Sequence, residues 1–271
     1  MVVRRMTLTL VLVISGCIMV FPILALLSAS FKSQTLVFTG GIIPHHPTLK
    51  NYILIFTSNI PLLRWVSNSI GVSAIASLIV VTVDSMAAFS LAKLKFRGKS
   101  IVFYLIVSSL MIPAIATLIP IYLEFSMANL LNTYWALILP YTANAFGVFL
   151  LYQFYLGIPD ELMEAARVDG CHKLRMWWSI FVPLSRAALT TLGLLTFMNV
   201  YNDFFWPLIA TNSNSMRTVT VGVALTAVGQ YTTNYAELMA LTFCSIVPMM
   251  LAFVFAQRQL TQGIATTGFN L

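Results

Sequence analysis

Apolar residues gather in six long blocks, roughly 7–29, 66–92, 100–121, 135–156, 186–209 and 237–257, parted by polar or mixed segments. A helix needs about 20 apolar residues to cross the hydrocarbon core of a bilayer, so each block predicts one transmembrane helix. Alternate crossings put the long segments 30–65 and 210–236, with the shorter 122–134, on one side. The termini, the 93–99 turn and the stretch 157–185 fall on the other. The expected fold class is an all-α integral membrane protein, a single transmembrane domain over 1–271, with an extramembrane loop at 157–185 and a tail at 258–271.

Composition agrees: 59% of the 271 residues are hydrophobic and 8% charged, where soluble domains run at about 45–50% apolar. The net charge of +7 does not indicate a nucleic-acid partner, because the basic residues flank apolar spans instead of clustering on a soluble face. Eleven Lys and Arg fall on the side of the termini and four on the other. The excess of positive charge inside therefore predicts cytoplasmic termini, loop and tail. Arg4 and Arg5 precede an apolar run from Leu8 to Leu27 that is longer than a signal-peptide core, so an uncleaved first helix is expected. Cys17, Cys171 and Cys244 have neither an even count nor metal spacing, so no disulfide or metal is expected.

One polar interval breaks the pattern. Asp160, Glu161, Glu164 and Asp169 are four of only eight acids, packed into ten residues. Gly157 and Pro159 end the fourth block, and the acids that follow suit the positive N-terminal end of a new helix. Gly170 suits a left-handed helix close, Lys173 to Ile180 predicts a second short helix, and Pro183 marks the turn into the fifth block. Helices this short are unstable alone in water, so the helix–glycine–helix unit needs a surface to pack on. The small Ala165 and Ala166 allow close approach, and Glu164 offers a charge to an opposing Arg or Lys. An amphipathic loop lying on the lipid is the plainer reading, and Trp177 and Trp178 suit either.

The stretch resembles the cytoplasmic signature loop of binding-protein-dependent ABC importer permeases, written E-A-A, three residues, G, nine residues, I-x-L-P. Glu164, Ala165, Ala166, Gly170, Ile180 and Pro183 stand in register, with Val182 at the usual leucine. Further similarity to the carbohydrate-uptake branch, the second maltose-type or glycerol-phosphate-type permease subunit, lies in several short stretches. These are Asn68-Ser69, the run from Ala87 to Lys93 with Phe96-Arg97-Gly98, Met111-Ile112-Pro113, Leu131 to Tyr134, Asn202-Asp203-Phe204 and the tail from Gln262 to Gly268. Tyr201 and Cys171-His172 depart from that branch's usual residues.

The resemblance implies the ABC importer permease fold, in a bacterial or archaeal cytoplasmic (inner) membrane. It implies that the loop, through Glu164, Ala165, Ala166, Asp169, Gly170, Ile180 and Pro183, docks in a cleft of a cytoplasmic ATPase. The tail from Gln257 to Leu271 is expected to reach the same interface. The implied partners are a second permease subunit, two ATPase subunits and an extracytoplasmic substrate-binding protein, and the implied cargo is a sugar or sugar-like solute. ATP and Mg²⁺ are then expected in the ATPases and no cofactor in this chain.

Other constellations say less. Gly98-Lys99-Ser100 mimics the end of a phosphate loop, but Lys93 stands where that motif needs glycine. His45-His46 has no carboxylate or cysteine nearby in sequence to complete a metal site. Asn51 to Phe56 predicts a small external helix able to meet a binding protein. Asn199, Tyr201, Asn202, Asp203 and Trp206 mix hydrogen-bonding groups with aromatic faces, which suits sugars and makes them candidate pathway residues, although such groups also glue helices together. Asp84 lies inside the second block, where acids are costly and face a cavity or a partner. A rival reading, an ion-driven secondary transporter or channel, would use Asp84, Glu124 or Asp203. No nucleophile, base and acid stand together as an enzyme would need.

Overall fold

The computed structural model describes residues 2–39, 41–230 and 234–267, which form helices, turns and loops with no strand among them. The order is α1 (Val2–Ser30), a 3-10 turn (Gln34–Leu36), α2 (Lys50–Thr57), α3 (Leu62–Lys93), α4 (Lys99–Ser109), α5 (Ala114–Met127), α6 (Tyr134–Ile138) and α7 (Ala145–Leu156). There follow α8 (Glu161–Val168), α9 (Lys173–Met176), a π turn (Trp177–Phe181), α10 (Val182–Leu184), α11 (Arg186–Asn202), α12 (Phe205–Ala210), α13 (Val219–Leu225), a second π turn (Thr226–Gln230) and α14 (Tyr235–Thr267).

Among the described residues three helices are long and apolar enough to cross a membrane unaided: Arg4–Ser30, Leu62–Lys93 and Tyr235–Val254. Three more crossings arise only if bent helix pairs are counted as single spans, which makes six. The third block, expected as one helix over 100–121, is instead α4 and α5 meeting at 101°. The break sits at Pro113, whose ring removes an amide donor and drives the preceding residue out of helical geometry. The fourth block is bent by 42° between Tyr141 and Ala145, where Asn144 accepts from the amides of Phe146 (3.0 Å) and Gly147 (3.4 Å) and so starts α7 afresh.

The fifth block, expected to run to 209, stops at Asn202. Asp203 Oδ1 then accepts from the Phe205 amide at 3.1 Å and opens α12. At its other end the block makes an 84° corner with the segment Lys173–Leu184. Ser185 at the corner is fully buried, and its hydroxyl donates to the Phe181 carbonyl at 2.6 Å. The last helix passes its expected end at 257, so the tail begins as a continuation of α14 up to Thr267. Residues 268–271 of the expected tail lie outside the described residues.

The chain packs as two compact units, one made of Met1–Val66 with Val219–Pro248 and the other of Ser67–Thr218 with Met249–Leu271. In the first, Trp65 is fully buried and Gly222 lies so close to its ring that an added Cβ would come within 2.2 Å of Cε3. In the second, one apolar core runs from α3 (Val80, Ala88, Phe89) through α7 (Leu151, Tyr155) and α8 (Met163, Ala166) to the first π turn (Trp177, Phe181) and α11 (Leu189, Leu192). Its aromatic centre is Phe181, with ring centroids 4.8 Å from Phe89 and 5.4 Å from Tyr155.

Candidate functional site

The polar loop at 157–185 is built on that core. Lys93, the last residue of α3, has its side chain buried and donates from Nζ to the Ile158 carbonyl and to Asp160 Oδ1, both at 2.6 Å. These contacts tie the entry of α8 to the end of the second span. The hydrogen bond from Lys93, and then its charge, hold the Asp160 carboxyl below the usual carboxylate range. Asp160 is thereby taken from the helix-capping role, and its side chain caps no amide of α8.

At the other end of α8, Gly170 has φ of +75°, the left-handed region. Its amide donates to Arg167 O (3.0 Å) and the Cys171 amide to Ala166 O (2.9 Å). This pair of bonds is the Schellman close that a glycine permits at low cost. His172 opens α9 by accepting from the Arg175 amide through Nδ1 at 3.3 Å. Then the indole of Trp177 donates to Ser85 Oγ at 3.1 Å inside the core. The loop is therefore fastened at both ends to α3, by Lys93 and by Ser85.

The two alanines of the signature separate. Ala166, three residues after Met163, is buried against the spans, whereas Ala165 and Glu164 face outward. Asp169, Gly170 and Pro183 are also exposed, and Ile180 is half-buried. Among the described residues Glu164 makes no ion pair. Val168, which projects at 88% exposure, stands with Leu174 and Trp178 as apolar side chains that the loop turns outward. Trp177 and Trp178 thus divide, one into the core and one to the surface.

The five polar and aromatic residues of the fifth block do not share one face. Tyr201 and Trp206 are buried, and the Trp206 indole donates to Ala136 O at 2.8 Å. Asn199 and Asn202 are exposed. Asp203 accepts from the Tyr141 hydroxyl at 2.5 Å and, with Trp206, lines an open cavity of about 460 Å³. Asp84 is buried, with Oδ1 3.5 Å from the Asn144 amide at the start of α7 and Oδ2 without a partner among the described residues. Glu124 is exposed on α5.

A polar lock not foreseen from the residues lies elsewhere in this unit. Asn68 donates to the carbonyls of Ser215 (2.8 Å) and Arg217 (2.9 Å) and accepts from Tyr134 (2.8 Å), while Asn132 Oδ1 accepts from the amides of Asn212 and Ser213 (both 3.1 Å). Among the described residues no group of three His, Cys, Asp or Glu stands together to hold a metal.

Residues 85–266 match the family of binding-protein-dependent transport system inner membrane components, a span that covers the whole fastened loop. This chain belongs to that family. The permease is 36% identical over 255 residues to the arabinooligosaccharides transport system permease protein AraQ of Halalkalibacterium halodurans, covering 93% of this chain and 91% of that one. It is 30% identical over 264 residues to the sulfoquinovosyl glycerol transport system permease protein SmoH of Agrobacterium fabrum, covering 96% and 91%. In fold, it matches a chain of a bacterial ABC transporter that imports the acidic polysaccharide alginate, with a TM-score of 0.85, 21% identity, and coverage of 94% and 96%. The permease is thus an inner membrane component of a binding-protein-dependent transport system, and its helix–glycine–helix loop sits within the matched region.

Proposed function

We propose that this permease carries a sugar or sugar-like solute into the cell as one of two membrane subunits, driven by two ATPase subunits and fed by an extracytoplasmic binding protein. The observation that carries the reading is the two-sidedness of the 157–185 loop. Its inner face, through Met163, Ala166, Trp177 and Phe181, belongs to the same core as the spans. Its outer face offers Glu164, Ala165 and Val168 to a partner. A surface gripped by a moving ATPase in this way would transmit the motion directly to α3, α7 and α11. The solute class is supported by relatives such as AraQ and SmoH, whose names specify glycans and a glycoside.

In this reading the termini and the 157–185 loop lie in the cytoplasm, in agreement with the charge asymmetry. ATP and Mg²⁺ bind in the ATPases and the chain itself takes no cofactor. The tail, which begins as the last turns of α14 up to Thr267, reaches the same interface in this reading. α2 and its neighbours face the binding protein.

The test is extraction from native membranes in mild detergent by a tag in the 210–236 segment, with Glu164→Lys alongside. A second permease and an ATPase are expected with the native chain, the ATPase lost or weakened with the variant, and uptake into vesicles dependent on ATP. A chain that emerges alone and takes up solute on an ion gradient would overturn the reading and turn attention to Asp84.

A further inference from the structure

At the C-terminal end of α1 the chain turns sharply, and Asn51 of α2 holds the turn by donating to the carbonyls of Ser30 (2.7 Å) and Lys32 (2.8 Å). The turn drives Lys32 inward, to 7% exposure. Its ammonium donates to the Gly41 carbonyl at 2.5 Å and makes no ion pair among the described residues. An ammonium has three donors, and burying one without a counter-charge is unfavourable. Lys32 is therefore a cation short of an anion.

Two spaces meet at this lysine. On one side is an open groove of about 430 Å³, walled by Pro22, Ala25 and Leu26 of α1 and by Phe38 and Ile42 of the following loop. On the other is a small recess that Lys32 shares with Leu36, Thr39, Pro44, His45 and His46. The loop between carries Phe38 at 74% and Ile43 at 80% exposure, which is the behaviour of a segment dipped into the headgroup region of a bilayer. An apolar trough that ends at a buried cation matches an acyl chain that ends at a phosphate.

We propose that Lys32 holds the phosphate of an anionic phospholipid whose acyl chain lies in the groove along α1. The lipid completes the charge balance of the turn and braces the first span where it leaves the membrane. A free phosphate would satisfy the ammonium and leave the groove unfilled, so the lipid is the occupant both halves of the site require.

The purified permease, with the subunits that accompany it, would be reconstituted into nanodiscs of mixed phosphatidylglycerol and phosphatidylcholine, and the retained lipid counted by native mass spectrometry. Retained phosphatidylglycerol is expected to exceed phosphatidylcholine by about fivefold, the preference one lysine near a membrane surface provides. Lys32→Arg should keep that preference, Lys32→Gln should abolish it, and added inorganic phosphate should leave the retained lipid in place. Should Lys32→Gln fail to accumulate, the double variant Phe38→Ser, Ile42→Ser, which strips the groove and spares the lysine, must lower the retained lipid. Wild-type retention in Lys32→Gln or in the double variant, displacement by inorganic phosphate, or a cross-link from Lys32 to an acid of the second membrane subunit with no lipid bound would each overturn the proposal.

Discussion

Replacing Gly170 separates backbone geometry from everything else the 157–185 loop contributes. At φ of +75° an added Cβ meets no atom within 4 Å, so a substitution there introduces no clash. The whole cost is the left-handed backbone itself, about 1–2 kcal/mol for an ordinary L-residue, least for asparagine and greatest for a β-branched side chain. That penalty weakens the Schellman close, which fixes the end of α8 and the outward placement of Glu164 and Ala165. If docking needs this geometry, the affinity of the ATPase for the permease should fall by up to ~5- to ~30-fold, the population factor for such energies. The expected order of affinity is Gly, then Gly170→Asn, Gly170→Ala and Gly170→Val. The assay is titration of purified ATPase onto the permease in nanodiscs, followed by ATP-driven uptake at limiting ATPase. Native affinity in Gly170→Val, or weaker docking by Gly170→Asn than by Gly170→Val, would refute the argument.

Four further outcomes follow from contacts in the two units. Lys93→Met should impair docking more than Asp160→Asn, because it leaves the Ile158 carbonyl unpaired as well as breaking the ion pair. Since pairing lowers the Asp160 pKa, the pair's support is complete at neutral pH and fades only as pH falls below about 4 through the lowered value, so thermal stability of the native chain and of Asp160→Asn should converge there. Gly147→Ala would set a Cβ 2.1 Å from Asp84 Oδ2 and 3.1 Å from Leu192 Cδ1, costing about 1–3 kcal/mol in thermal unfolding, and Asp84→Ala should recover part of that loss. Gly222→Ala should be at least as harmful, because the obstacle 2.2 Å away is the rigid, buried ring of Trp65; detergent-solubilised melting curves check both.

The signature loop was legible because its information is local. Acids before Glu164, a glycine at the corner and a proline beyond are each read from neighbours in sequence, and α8 runs from Glu161 to Val168 as that reading requires. The spacing of Met163 and Ala166 also contained the news that one alanine turns inward, since residues three apart share a helix face. The Trp177-Trp178 doublet contained no such cue, because adjacent residues look in different directions and nothing local says which meets the core.

The breaks in the spans were harder. Apolar residues lie on both sides of Pro113 and of Asp203, so a block long enough to cross looks like one helix when it is two. In the sequence Lys93 is one more positive charge at a membrane edge, and its partner Asp160 lies 67 residues on. Contacts of that range, like those of Asn68 with Ser215 and Arg217, exist only once the helices have packed.

The corner at Ser185 gives the loop a mechanical character. The segment Lys173–Leu184 and α11 meet at 84°, with the corner seat buried and its hydroxyl bonded to the turn before it. Two stiff arms at nearly a right angle make a bell crank. The arm Lys173–Leu184 is about 18 Å long and the arm α11 about 25 Å, so a push on the shorter arm would return as a sideways sweep about 1.4 times larger at the far end of α11. The far end is where Asn202 and Asp203 stand.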